Sequence, residues 1–97
     1  MFCVFATITP KNEYFDDAKA AIQSILEETR NEVGCVQFDI HTNQESSVLY
    51  LYEQWTDEAA LENHYNQSYT RQVFKSYEQW LAAPVDVKNF TLLDKAN

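Results

Sequence analysis

The chain has 97 residues, which sets its scale at one small domain spanning 1–97, and a hydrophobic fraction of 45% excludes a disordered segment. Fifteen acidic residues against seven basic ones leave a net charge of −8, which argues against nucleic acid or an anionic membrane surface as a partner. No apolar run reaches membrane-spanning length and no basic start leads into an apolar export segment, so a cytoplasmic protein is expected.

Phe2 to Thr9 reads as a first strand, with Phe2, Val4, Ala6 and Ile8 on one face and Cys3, Phe5, Thr7 and Thr9 on the other. Pro10 and Lys11 break it. Asn12 is placed to cap a helix running to about Glu32, whose buried stripe is Phe15, Ala18, Ile22, Ile25 and Thr29, with Leu26 alongside. Gly34, the single glycine, sits just past that helix, where a left-handed residue is wanted.

Val36 to Thr42 reads as the second strand and Val48 to Trp55 as the third, joined by a hairpin loop of Asn43, Gln44, Glu45 and Ser46. The register that follows pairs Thr42 with Ser47 and Ile40 with Leu49. It collects Val36, Phe38, Ile40, Leu49, Leu51 and Glu53 on one face, and Cys35, Gln37, Asp39, His41, Tyr50, Tyr52 and Gln54 on the other. Thr56 is a fitting N-cap for a short helix from Asp57 to Tyr65, on which Ala60, Leu61, His64 and Tyr65 share a stripe. Ser68 is placed to cap a further helix with the stripe Tyr69, Val73, Phe74, Tyr77, Trp80 and Leu81, stopped by Pro84, and Val85 to Leu93 reads as the last strand.

The order strand, helix, strand, strand, helices, strand implies an α+β fold: a ferredoxin-like antiparallel sheet with helices on one face. The face with Leu49 and Leu51 should meet the helices. The face with Phe5, Val48, Tyr50 and Tyr52 is too apolar to lie bare, and no helices remain to cover it, so a homodimer packed sheet against sheet is expected.

Three segments carry a resemblance: GCVQFDIHT at Gly34 to Thr42, LYEQWTDEAALENH at Leu51 to His64, and AAP at Ala82 to Pro84. Together they resemble the antibiotic biosynthesis monooxygenase family, which includes quinol-monooxygenase-like and autoinducer-degrading proteins. The resemblance covers nearly the whole chain. It implies a dimeric α+β barrel with a ligand cavity between sheet and helices in each subunit. Family members often carry a second histidine at the start of the long last helix, where this chain has Gln67-Ser68-Tyr69-Thr70. A haem-degrading branch uses a pocket Trp and His where this chain has His64 and Phe74, so haem degradation is not implied.

Glu53 is the most informative residue, because a carboxylate on an apolar sheet face is costly unless it is paired or protonated. His64 on its stripe is inward-facing, and a neutral imidazole there can accept a proton from a phenol or enol. The expected catalytic set is His64, Glu53 and Tyr69, with Tyr69 orienting an oxygen. Trp55, Phe74 and Tyr77 are the expected substrate-binding residues. Each has a structural alternative: Glu53 as an acid bonded to a tyrosine, a backbone amide or Arg71, His64 as a satisfied core residue, and the aromatics as core. Two scattered histidines with Cys3 and Cys35 make no metal motif, and no glycine-rich loop is present, so neither metal nor cofactor is expected. Cys3 and Cys35 fall about 9–10 Å apart across the third strand, too far for a disulfide.

The function expected is therefore a cofactor-independent monooxygenase acting on a small aromatic, quinol-type substrate. The alternatives are a non-oxidative isomerase or degrader of a small signalling molecule using the same groups, and a non-catalytic dimer that binds a small ligand.

Overall fold

The computed structural model describes residues 1–43 and 45–94, so Gln44 of the expected hairpin loop and the last three residues of the expected 1–97 domain lie outside the described residues. The elements run β1 (Phe2–Ile8), a 3-10 turn (Asn12–Tyr14), α1 (Phe15–Ser24), α2 (Leu26–Arg30), β2 (Cys35–Asn43), β3 (Val48–Trp55), α3 (Glu58–Tyr65), α4 (Ser68–Trp80) and β4 (Asp86–Thr91). The four strands form one sheet in the order β2-β3-β1-β4, and every neighbouring pair is antiparallel. This is the ferredoxin-like α+β architecture that the order of elements implies.

The inner face of the sheet carries Val4, Ala6, Ile8, Phe38, Leu49, Leu51 and Trp55, all buried. The helices meet it with Ala18, Ile22, Ile25, Leu61, Val73 and Tyr77. Each large aliphatic side chain removed from water here contributes about 1.5–3 kcal/mol. The Tyr77 hydroxyl donates to the Ala18 carbonyl at 2.8 Å, which satisfies a buried phenol and ties α4 to α1. Among the described residues no helix is long and apolar enough to cross a membrane.

Gln67, and not Ser68, holds the N-cap position of α4, and four further local features differ from the sequence reading. The single helix expected from Asn12 to Glu32 is a 3-10 turn and two helices, interrupted at Ile25. Ser24 Oγ donates to the Ala21 carbonyl at 2.6 Å and Ile25 N–H reaches back only to Ile22, so the α ladder lapses there while Ile25 stays buried. The β2–β3 register is offset by two residues: Ile40 lies opposite Leu51, and Asn43 pairs with Val48 instead of entering the loop. Asn43 closes the turn, accepting from the backbone N–H groups of Ser46 and Ser47 at 3.2 and 3.0 Å, and from Glu45 N–H on its side chain at 3.0 Å. An offset of two preserves which residues share a face, so the partition of Phe38, Ile40, Leu49, Leu51 and Glu53 holds.

The third difference is a bulge between Cys35 and Gln37. It turns Val36 outward, 48% exposed, and sets Cys35 opposite the inward Trp55, the reverse of the expected assignment. The fourth is the cap of α3, which is Asp57 and not Thr56: the Asp57 carboxylate accepts from Ala60 N–H at 2.9 Å. Thr56 N–H instead donates to the Gly34 carbonyl at 2.9 Å.

Gly34 has φ +91°, a conformation L side chains rarely adopt. A Cβ there would lie 2.6 Å from the Ala60 Cβ and 2.9 Å from Thr56 Oγ1. The loop after α2 therefore lies directly against the first turn of α3. Gly34→Ala is expected to lower unfolding stability by about 2–4 kcal/mol, combining backbone strain with overpacking. Urea denaturation of Gly34→Ala, Ala60→Gly and the double mutant checks this. The cycle should give a favourable coupling of about 1 kcal/mol or more.

Candidate functional site

The site lies where the end of β3, the loop after α2 and helix α3 meet. Alternation along β3 turns Leu49, Leu51, Glu53 and Trp55 inward, and all four are buried. Glu53 is 4% exposed and accepts from Trp55 Nε1–H at 2.9 Å. That indole is its protein partner; Arg71 lies exposed on α4. Burial pushes the Glu53 carboxyl up to about 7, with the nearby Glu32 charge adding to the rise and the Trp55 hydrogen bond opposing it.

His64 projects from α3 into the same region and is 3% exposed. Its ring lies among aromatics, with centroids 4.9 Å from Trp55, 5.7 Å from Phe38 and 5.7 Å from Tyr65. Its Nδ1 is 2.9 Å from Glu32 Oε2. The Tyr69 hydroxyl donates to that same oxygen. Glu32 was not among the sequence candidates, yet its side chain is only 5% exposed. Its other oxygen, Oε1, is buried without a partner among the described residues.

Glu53 and His64 line a common hollow of about 30 Å³, room for roughly one water. Tyr65, Phe74 and Tyr77 line it too, together with apolar residues from β1, α1, β3 and β4. A second, open hollow of about 480 Å³ lies outside, walled by Phe74, Tyr77, Glu78 and the segment from Leu81 to Val85. Phe74, Tyr77 and Val85 belong to both walls, so they separate the buried hollow from the open one. Phe74 is 40% exposed and is the least confined of the three.

Of the six candidates, Glu53, His64, Phe74 and Tyr77 are brought to one hollow. Trp55 stands behind it, fully buried against Glu53 and His64. The Tyr69 ring lines a surface depression between α1 and α4, with its hydroxyl held by Glu32. Burial, followed by the bond to Glu32, raises the Tyr69 phenol above the ordinary tyrosine range. Tyr65 is a hydroxyl of the hollow that sequence reasoning placed only on a helix stripe; burial and the Glu53 charge push it up to about 12. The bulge brings Cys35 near the same groups, and burial with Glu32 and Glu53 pushes its thiol up to about 11, which keeps it protonated and unreactive. Among the described residues no three His, Cys, Asp or Glu side chains are grouped to hold a metal ion.

Glu53 makes stability depend on pH. Its folded value, about 7, exceeds the ordinary 4.5, so the native state holds a proton that the unfolded chain has released. The stability this group contributes is full below about 4.5 and is lost as pH rises through about 7. Glu53→Gln removes the dependence. The stability of the wild type relative to Glu53→Gln is expected to fall by roughly 3 kcal/mol between pH 4 and pH 8 in urea titrations. A difference that stays flat would contradict a buried, protonated Glu53.

The profile of the antibiotic biosynthesis monooxygenase family matches residues 1–76. Among curated relatives, the uncharacterized protein sll1783 of Synechocystis sp. is 24% identical over 92 residues, which take up 94% of this chain and only 63% of that longer protein. The "Putative monooxygenase YcnE" of Bacillus subtilis is 28% identical over 88 residues, covering 90% of this chain and 93% of the relative. The solved structure of Rv0793 from Mycobacterium tuberculosis superimposes with a TM-score of 0.92 at 24% identity, over 99% of this chain and 98% of that one. That likeness establishes the fold, and the profile establishes the kinship: the chain belongs to the antibiotic biosynthesis monooxygenase family.

Proposed function

We propose that the protein is a cofactor-independent monooxygenase acting on a small aromatic, quinol-type substrate. The observation that carries this reading is the convergence of a buried carboxyl near neutrality and a buried imidazole on one hollow ringed by aromatics. The substrate ring lies in the open hollow against Phe74 and Tyr77. Displacement of Phe74 lets its hydroxyl reach His64, since the buried hollow as it stands holds only about one water.

Ground-state dioxygen is a triplet and reacts slowly with closed-shell molecules, so the substrate must first become an electron-rich anion. His64 takes the hydroxyl proton. The anion gives one electron to dioxygen, and the radical pair combines to form a carbon–oxygen bond. The peroxide so formed is protonated, with Glu53 as donor. Its O–O bond breaks with loss of the ring C–H proton, leaving a carbonyl on the ring and releasing water. The substrate supplies both electrons, so no external reductant enters the balance. Trp55 holds the Glu53 carboxyl in place, and Tyr69 acts behind His64 through Glu32.

Oxygen uptake with a hydroquinone panel tests the reading. Turnover is expected only in air, and His64→Ala and Glu53→Gln should each lower kcat by about 10²–10⁴-fold. Undiminished turnover in the double mutant would sink the assignment, and turnover that persists without oxygen would point to an isomerase that only shuffles protons.

The second part of the proposal is a homodimer joined through the outer sheet face. Support comes from Phe5, 38% exposed and stacked on Tyr50 at 6.0 Å, and from Phe90, 50% exposed on the same face beside Cys3. Gln54 donates to the Tyr52 hydroxyl at 2.8 Å on the same face. Gel filtration at micromolar concentration should return twice the monomer mass of 11.3 kDa, and Phe5→Asp should return the monomer. A monomeric wild type would remove this part.

A further inference from the structure

We infer that Glu32 is the positioning residue of the site: its carboxylate fixes His64 in the Nδ1–H form and so presents the Nε2 lone pair to the hollow.

Glu32 Oε2 already accepts from the Tyr69 hydroxyl, and with that oxygen as acceptor the contact at 2.9 Å with His64 Nδ1 places the proton on Nδ1. In the neutral ring the lone pair is then on Nε2. His64 lines the hollow and Glu32 does not, and the ring nitrogen assigned to the hollow is the one that Glu32 leaves free. The Tyr69 hydroxyl donates to the same oxygen, which holds the carboxylate from a second helix. The loop is held as well. Gly34, two residues on, lies against Ala60, one helical turn before His64, and accepts from Thr56 N–H. Glu32 and His64 are thus fixed to one another through the backbone and through the side chains. A base whose free nitrogen is set by a hydrogen bond to the other is the arrangement that proton abstraction needs.

The catalytic meaning of this inference rests on the proposed role of His64 as proton acceptor, but the tautomer itself is measured without substrate. The chain has only two histidines, so the ring nitrogens of His64 are assigned in a nitrogen-15 NMR spectrum by comparison with His41→Gln. The wild type at pH 8 is expected to show a protonated Nδ1 and a bare Nε2. Glu32→Gln, whose amide oxygen can still accept, should keep that form, and so should Tyr69→Phe. Glu32→Leu should shift the ring toward the Nε2–H form that free imidazole favours. With an active substrate, Glu32→Leu should lower kcat by about 10²-fold or more with KM little changed.

A wild-type ring protonated on Nε2, alone or together with Nδ1, overturns the inference, and that spectrum decides it even if Glu32→Leu does not fold. Retention of the Nδ1–H form in a folded Glu32→Leu protein overturns it as well. Absence of turnover with every quinol tried, alongside the expected spectrum, would count against the proposed reaction and leave the role of Glu32 standing.

Discussion

Two carboxyl groups share the interior of a chain with a single small core, and they cannot both be charged there without compensation. Glu53 and Glu32 resolve the conflict in different ways. Glu53 has one donor, the Trp55 indole, and keeps its proton to near neutrality. Glu32 has two donors, His64 and Tyr69, on one oxygen. The Glu32 charge adds to the cost of ionising Glu53. The aromatic setting follows from this constraint. Trp55, Phe38 and Tyr65 surround the imidazole, and burial is what keeps the Glu53 carboxyl protonated toward neutrality.

Much of the fold was legible because two periods dominate the sequence. Alternation along β1 and β3 assigned faces without any knowledge of the turn, and those faces survived a hairpin offset of two residues because the period of a strand is two. Helical stripes placed Ala18, Ile22, Ile25, Val73 and Tyr77 correctly in the core. What stayed illegible is what breaks a period. The bulge at Val36 leaves the sequence alternation of Val36, Phe38 and Ile40 unbroken, so Cys35 was assigned to the wrong face. The lapse at Ile25 turns on one serine hydroxyl reaching back to a carbonyl.

Glu32 escaped for a different reason. Its neighbours in space are 32 and 37 residues away in sequence, on two later helices. One sign was available: an acidic residue just past the end of a helix is disfavoured by the helix dipole, and its presence beside Gly34 marks a side chain with business elsewhere. Glu53 and His64 were found because each violates the apolar character of its own face or stripe. Glu32 violates only an electrostatic preference at a loop, which is a weaker signal.

The edge strand β4 closes one side of the buried hollow. β4 is joined to the sheet along β1 alone, and all six of its residues are exposed. Val85 and Val87, at its start, nonetheless wall the hollow. That wall therefore hangs on a single ladder, with no strand beyond it. A change of side chain at Val87 therefore reaches the chamber from the rim of the sheet, while the imidazole and the two acids stand on other elements.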